Sequence, residues 1–341
     1  MRFDKFLLCV FTALVFVCAC EKDDDDVEDF LYLNGTLSFV NPIPEYVNYG
    51  YEQDVTVTGV RHPDASRKED GTYSDILGYY FTNSLIARTD TVKRFEDPAD
   101  TKVVYHFKVS KDSLATFTLS ASAYAPGYYS SSCSASVTLV RPGFGEDRTI
   151  RGFHTDTPRE KVGEKEYYTV AIGGDRWLRQ NYADKSKGNP YKDCAVMDDI
   201  FGRFYTWTDA QSVCPEGWRL PTSDELDALV NKFGGVNALM ADVYFNGSKP
   251  ANKMWTYWPG VGVITDASRL SFMPTGYALV VNGKYEFHDL NSRAVLWTSD
   301  SEDGKGVARY IYEDQNKLFK GSFDKDTFAA SVRCVSVPKE K

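Results

Sequence analysis

The stretch from Phe201 to Thr222 constrains this chain more than any other. Aromatic residues at Phe201, Phe204, Tyr205, Trp207 and Trp218 are interleaved with Cys214, Pro215 and Pro221. Pro221 is followed by Thr222-Ser-Asp-Glu225, a capping box in which the threonine hydroxyl and the glutamate carboxylate satisfy orphan amides reciprocally. Leu226, Leu229, Val230 and Phe233 then recur at helical spacing and Gly234-Gly235 stops the element. A shorter helix is expected from Thr208 or Asp209 to Val213, ended by Pro215.

The N-terminus sets the compartment. Arg2 and Lys5 precede an apolar run from Phe6 to Ala19. As a helix it reaches only about 21 Å, short of a bilayer core of about 30 Å, so residues 1–19 read as a signal peptide. The run ends in Val17-Cys18-Ala19-Cys20, which resembles a bacterial lipobox and makes Cys20 the expected lipidated residue, so that the chain meets the membrane through a lipid anchor only. Residues 20–29 include Asp23 to Asp26, a solvated acidic tether similar to the export signal of Bacteroidetes lipoproteins carried to the outer face of the outer membrane. A formal net charge of −9 argues against nucleic acid as a partner.

Residues 30–141 read as an all-β immunoglobulin-like sandwich. Val103, Tyr105, Phe107 and Val109 alternate onto one face, as do Phe117 and Leu119, and turn residues such as Asn41-Pro42 and Pro126-Gly127 space the strands evenly. The 14% aromatic content suits such sheets. Residues 142–165, rich in glycine, proline and charge, read as a linker.

The remainder, 166–341, carries a resemblance. Ile172-Gly-Gly-Asp-Arg-Trp177, Gly202-Arg-Phe-Tyr-Thr-Trp207, Cys214-Pro-Glu-Gly-Trp-Arg-Leu-Pro221, Ser271-Phe-Met-Pro-Thr-Gly-Tyr277, Leu296-Trp-Thr-Ser-Asp300 and Ser331-Val-Arg-Cys334-Val335 occur in order and resemble the Fibrobacter succinogenes major paralogous domain. The resemblance implies an α+β domain similar to the C-type lectin-like fold, without an assigned activity. It also implies a disulfide between Cys214 and Cys334, which leaves Cys133 and Cys194 unpaired.

The chemistry of sites is sparse. His62, His106, His154 and His288 lack metal-ligand spacing, and no nucleophile elbow, P-loop or dinucleotide fingerprint occurs, so neither metal nor cofactor is expected. The acidic pairs Asp198-Asp199 and Asp224-Glu225 read as solvated loop charges and a helix first turn. The expectation is a non-catalytic outer-membrane surface lipoprotein that binds a surface glycan or protein ligand. Trp255, Tyr257, Trp258 and Trp297 are the candidate contacts, because stacked rings suit sugar faces and protein partners alike, although packing under a loop is the commoner role for such rings. The alternatives are a structural or tip subunit of a surface assembly, and a hydrolase on a lectin-like scaffold.

Overall fold

The computed structural model describes residues 31–64, 68–71, 77–95, 102–246, 252–255 and 263–337. The chain is mostly β-sheet. In its first part, Asn34–Phe39, Glu52–Arg61 and Val103–Lys108 form a three-stranded antiparallel sheet. A five-stranded sheet runs Tyr46–Val47, Ser131–Leu139, Ala115–Tyr124, Leu77–Asn83, Arg88–Phe95. Period-two alternation sends Leu37, Val55, Val57 and Phe107 from the first sheet against Phe81, Phe117, Leu119 and Val137 from the second, in one core. Val103 and Val109 are buried as their spacing predicts, and Tyr105 stacks on Phe81 with ring centroids 4.7 Å apart.

The stretch 142–165, linker-like in composition, is packed. Ile150–Arg151 pairs with Tyr244–Phe245, and Arg159–Val162 pairs with Lys165–Ile172. Ile150, Phe153 and Val162 are buried, but they fall at irregular intervals among charges and glycines, so no periodicity announces them. Tyr46 and Val140 of the first part enter the same core as Tyr191 and Phe245, and Glu45 pairs with Lys192.

The C-terminal part holds two larger sheets. One runs Arg159–Val162, Lys165–Ile172, Asp175–Leu178, Val335–Ser336, Trp218–Arg219. The other is eight-stranded, with Arg293–Glu302, Lys305–Tyr312 and Phe328–Ser331 at its centre. The helix Ser223–Phe233 packs Leu226 and Leu229 against Leu296 and Ile311 of that sheet. Its capping box forms: Thr222 accepts from the Glu225 amide at 3.2 Å and Glu225 accepts from the Thr222 amide at 2.8 Å. Gly234, at φ 80°, ends it in the left-handed region. The shorter helix is Trp207–Ala210, starting earlier than expected because Thr206 is its N-cap. Cys214 and Cys334 are bonded, with Cα atoms 5.9 Å apart across 120 residues of sequence. Cys133 and Cys194 are free.

Beneath these sheets two arginines are fully buried. Arg333 donates to the carbonyls of Leu178 at 3.1 Å and Leu270 at 2.6 Å, and to Asn181 Oδ1 at 3.0 Å. Arg179 donates to the carbonyls of Arg269 and His154, and to the hydroxyls of Thr157 and Ser271. Asp266, 3.7 Å from Arg179, accepts from the Ser271 amide and hydroxyl. Burial, aided by the neighbouring Arg179 charge, pushes the Arg333 guanidinium down to about 9, so it stays charged at neutral pH. The pair holds an irregular loop in which Asp266, Arg269 and Ser271 all have positive φ.

Two stability outcomes follow from this arrangement. Replacing both Cys214 and Cys334 by serine is expected to cost about 4–5 kcal/mol in the loop-entropy account, read as a lowered urea midpoint under non-reducing conditions. Arg333→Met is expected to cost at least about 3 kcal/mol, since each buried acceptor left unpaired costs about 1–3; an unchanged midpoint would contradict the role given to Arg333.

Candidate functional site

Two of the tryptophans singled out from sequence, Trp255 and Trp297, are structural. Trp255 is 3% exposed and its indole N–H donates to the Phe272 carbonyl at 3.1 Å. Trp297 is fully buried, donates to the Tyr205 carbonyl at 2.7 Å and meets Phe323 and Phe328 edge to face. Each indole therefore has its apolar area and its single donor satisfied inward, and the two occupy different cores. Tyr257, Trp258 and Cys20 lie outside the described residues.

Concave surface lies instead along the disulfide edge of the C-terminal part. A cleft of about 690 Å³ is bordered by the Val162–Lys165 turn, residues 182–186 and residues 212–215. It adjoins a pocket of about 180 Å³ through Lys165, which borders both, and a depression of about 410 Å³ through Cys214. The turn needs Gly163: its φ is 63°, and a Cβ there would stand 2.6 Å from the Tyr182 hydroxyl.

Buried tyrosines shape the cleft floor. Tyr167 Oη accepts from the Ala183 amide at 3.1 Å; Tyr205 Oη accepts from the Asp184 amide at 2.7 Å and donates to the Tyr182 carbonyl at 3.3 Å. Burial pushes both phenols up, so they remain neutral donors and acceptors. Arg203 connects floor and pocket. It donates to the carbonyls of Asp184 and Lys187, each at 3.0 Å, while its Nε lies 3.0 Å from Asp198 Oδ1.

Asp198 is the most unusual group in the pocket. It is 6% exposed, and its Oδ1 has no aligned hydrogen bond despite the nearby guanidinium. Burial raises its carboxyl above the usual range, opposed by Arg203 and Lys165. Reading Asp198-Asp199 as two solvated charges is therefore right for one residue only. The 3₁₀ turn Ala195–Asp199 turns Asp198 inward between Met197 and Ile200, while exposed Asp199 pairs with Lys165 at 2.7 Å. The apolar flanks Val196-Met197 and Ile200-Phe201 were the available signal. Gln180 accepts from the Tyr168 amide at 2.8 Å, Arg159 lies over the Tyr168 ring at 4.4 Å, and Phe144 supplies an apolar wall. Gly202 leaves room for this packing, since a Cβ there would press on Asn181 at 2.7 Å.

The third depression carries structure rather than free chemistry. Arg219 makes two bonds to the Glu225 carboxylate, at 2.8 and 2.6 Å, which hold that carboxyl below its usual range. On the eight-stranded sheet, half-exposed Tyr310, Phe319 and Phe323 stack on neighbouring rings, so their faces are already occupied. Among the described residues no three His, Cys, Asp or Glu side chains are placed to hold a metal ion, and no helix is long and apolar enough to cross a membrane.

Residues 170–336 match the family model of the Fibrobacter succinogenes major domain. No curated protein matches the chain. Among solved structures, the adhesin InvE of Yersinia pseudotuberculosis is similar at 12% identity over 89% of this chain and 70% of its own, with a TM-score of 0.24. A superoxide reductase (neelaredoxin) of Ignicoccus hospitalis is similar at 17% identity over 31% of this chain and 82% of its own, with a TM-score of 0.22. Likeness at these scores decides neither fold nor activity.

The two shifted carboxyls give opposite pH signatures. Asp198 titrates higher folded than unfolded, so its contribution to stability grows as pH falls through its raised value. Glu225 titrates lower folded, so its contribution, complete above the ordinary carboxylate range, is lost as pH falls through its lowered value. Carbon-13 NMR of the side-chain carboxyls is expected to place Asp198 above and Glu225 below the free-residue range.

Proposed function

We propose, from a C-terminal half that carries the Fibrobacter succinogenes major domain, that this protein is a non-catalytic binding protein of the bacterial cell surface, with an uncharged glycan as its ligand. In this reading the chain is held to the outer membrane through lipid on Cys20. The first sandwich is an immunoglobulin-like spacer, and the C-terminal part is a lectin-like domain displaying the disulfide-edge cleft. The lectin in that comparison is architectural, since fold alone does not carry ligand chemistry.

One observation carries the choice of ligand. The charges around the cleft and pocket are largely matched in place: Lys165 with Asp199, Arg203 with Asp198 and, at 3.9 Å, Lys187 with Asp209. Such a lining keeps many hydrogen-bonding groups but little net field, which suits a neutral polyhydroxylated ligand better than a strongly charged one. The cleft's volume falls within the range of about 300–1,000 Å³ common for small-ligand sites.

The test is a broad glycan array on the soluble protein, followed by calorimetry on variants that obstruct the cleft from exposed positions. Ser186→Trp and Ser212→Trp are expected to weaken binding at least about tenfold, the loss of about 1.4 kcal/mol, with unchanged thermal stability. An empty array, or affinity equal to the parent's in both variants, would sink the reading. Independently, Cys20→Ala is expected to release the protein from the membrane fraction and abolish incorporation of a labelled fatty acid.

A further inference from the structure

We propose that the pocket of about 180 Å³ is a subsite for a single uncharged sugar ring at one end of the glycan, with Asp198 accepting a ring hydroxyl. This rests on the cleft being the glycan site and adds where the chain must terminate.

Size comes first. At about 30 Å³ per water, the pocket holds about six waters, the scale of one ring rather than of a continuing chain. The adjoining cleft is the larger space, and Lys165 borders both, so a ligand can lie in the cleft with its last ring in the pocket.

Chemistry then selects the ring. Asp198 lines the pocket at 6% exposure; its Oδ1 is enclosed against Arg203 Nε at 3.0 Å, while among the described residues no hydrogen bond reaches Oδ2, which leaves that oxygen to a ligand. A ligand O–H donating to Oδ2 makes a charge-assisted hydrogen bond, stronger than one between neutral groups. An ammonium is disfavoured, because Arg203 stands 3.0 Å from Oδ1 and Arg159 and Lys165 line the same pocket. An anion is disfavoured by Asp198 itself, with Asp199 and Glu166 beside it. A hydroxyl satisfies the carboxylate without adding charge, while Phe144 offers the ring's C–H face an apolar contact.

The experiment is amide NMR on the whole soluble chain with glucose, galactose, mannose and N-acetylglucosamine as probes, and protonated glucosamine as the cationic control. At least one neutral sugar is expected to shift the Gly143, Gln180 and Gly202 amides with a Kd on the order of 1 mM, with glucosamine weaker than its neutral counterpart. Asp198→Asn should weaken that response at least tenfold. Phe144→Trp, which fills the pocket from its half-buried wall, should remove the response even if the Asp198 variant fails to fold. The longer glycan identified on the array should still shift Ala183 to Ser186 in either folded variant. If no monosaccharide moves the pocket amides while the longer glycan moves those of the cleft, the subsite is wrong and the cleft reading stands. If Asp198→Asn folds and responds like the parent, Asp198 is not the acceptor. If neither region responds to any sugar, both readings fall.

Discussion

Two positive charges buried side by side make the C-terminal part possible. Arg179 and Arg333 sit in full burial where an arginine is ordinarily expensive, and the Arg333 guanidinium is correspondingly pushed down. What they satisfy explains the tolerance. Between them they donate to carbonyls from three segments, around His154, Leu178 and the Arg269–Leu270 loop, and to the side chain of Asn181. Those segments are too irregular to pair with each other as strands, so a forked, five-donor cation substitutes for the missing ladder. Phe153 lies against one guanidinium and Phe272 against the other, each at cation–π distance. Asn181 is the joint: it accepts from Arg333 and donates to the carbonyl of Phe201, which lies between the pocket-lining Ile200 and Gly202.

From that joint the cleft is built by hydroxyls rather than by regular structure. Tyr167 and Tyr205 stand on the two larger sheets and hold the backbone at Ala183 and Asp184 from below, and Arg203 clamps the same loop from the side. A loop of this kind is positioned as firmly as a strand while leaving its outward face without a partner sheet. That is why concave surface appears here, while the indole hydrogen bonds of Trp255 and Trp297 draw those rings into the cores.

Legibility in the sequence divided along the same physical line. Wherever backbone bonding is periodic, the residues announced it: Phe117 and Leu119 at period two, Leu226 and Leu229 at helical spacing, Thr222 and Glu225 three apart at a cap. The cysteine pair came through resemblance rather than pattern. The candidate site escaped because its loop is held by side-chain bonds between separate segments, such as Tyr205 to Asp184 or Arg203 to Lys187, which leave no period. Trp255 and Trp297 were not legible as core residues for a related reason: composition says a ring is present, but only the position of a carbonyl for its N–H decides whether it faces solvent. Stretch 142–165 hid its buried Ile150 and Phe153 among glycines and charges in the same way.

The disulfide has a mechanical consequence. Because Cys214 and Cys334 are covalently joined, the 120-residue span between them is bypassed when the chain is drawn taut. Under the function proposed above, tension would run between an attachment at Cys20 and a ligand held in the cleft. That tension enters through the first sandwich, crosses the core shared by Tyr46, Val140 and Phe245, and reaches the Arg159–Lys165 hairpin at the cleft wall. The eight-stranded sheet and the capped helix mostly lie inside the bypassed loop. The strands and helix between Cys214 and Cys334 therefore carry none of a load that the disulfide transmits directly.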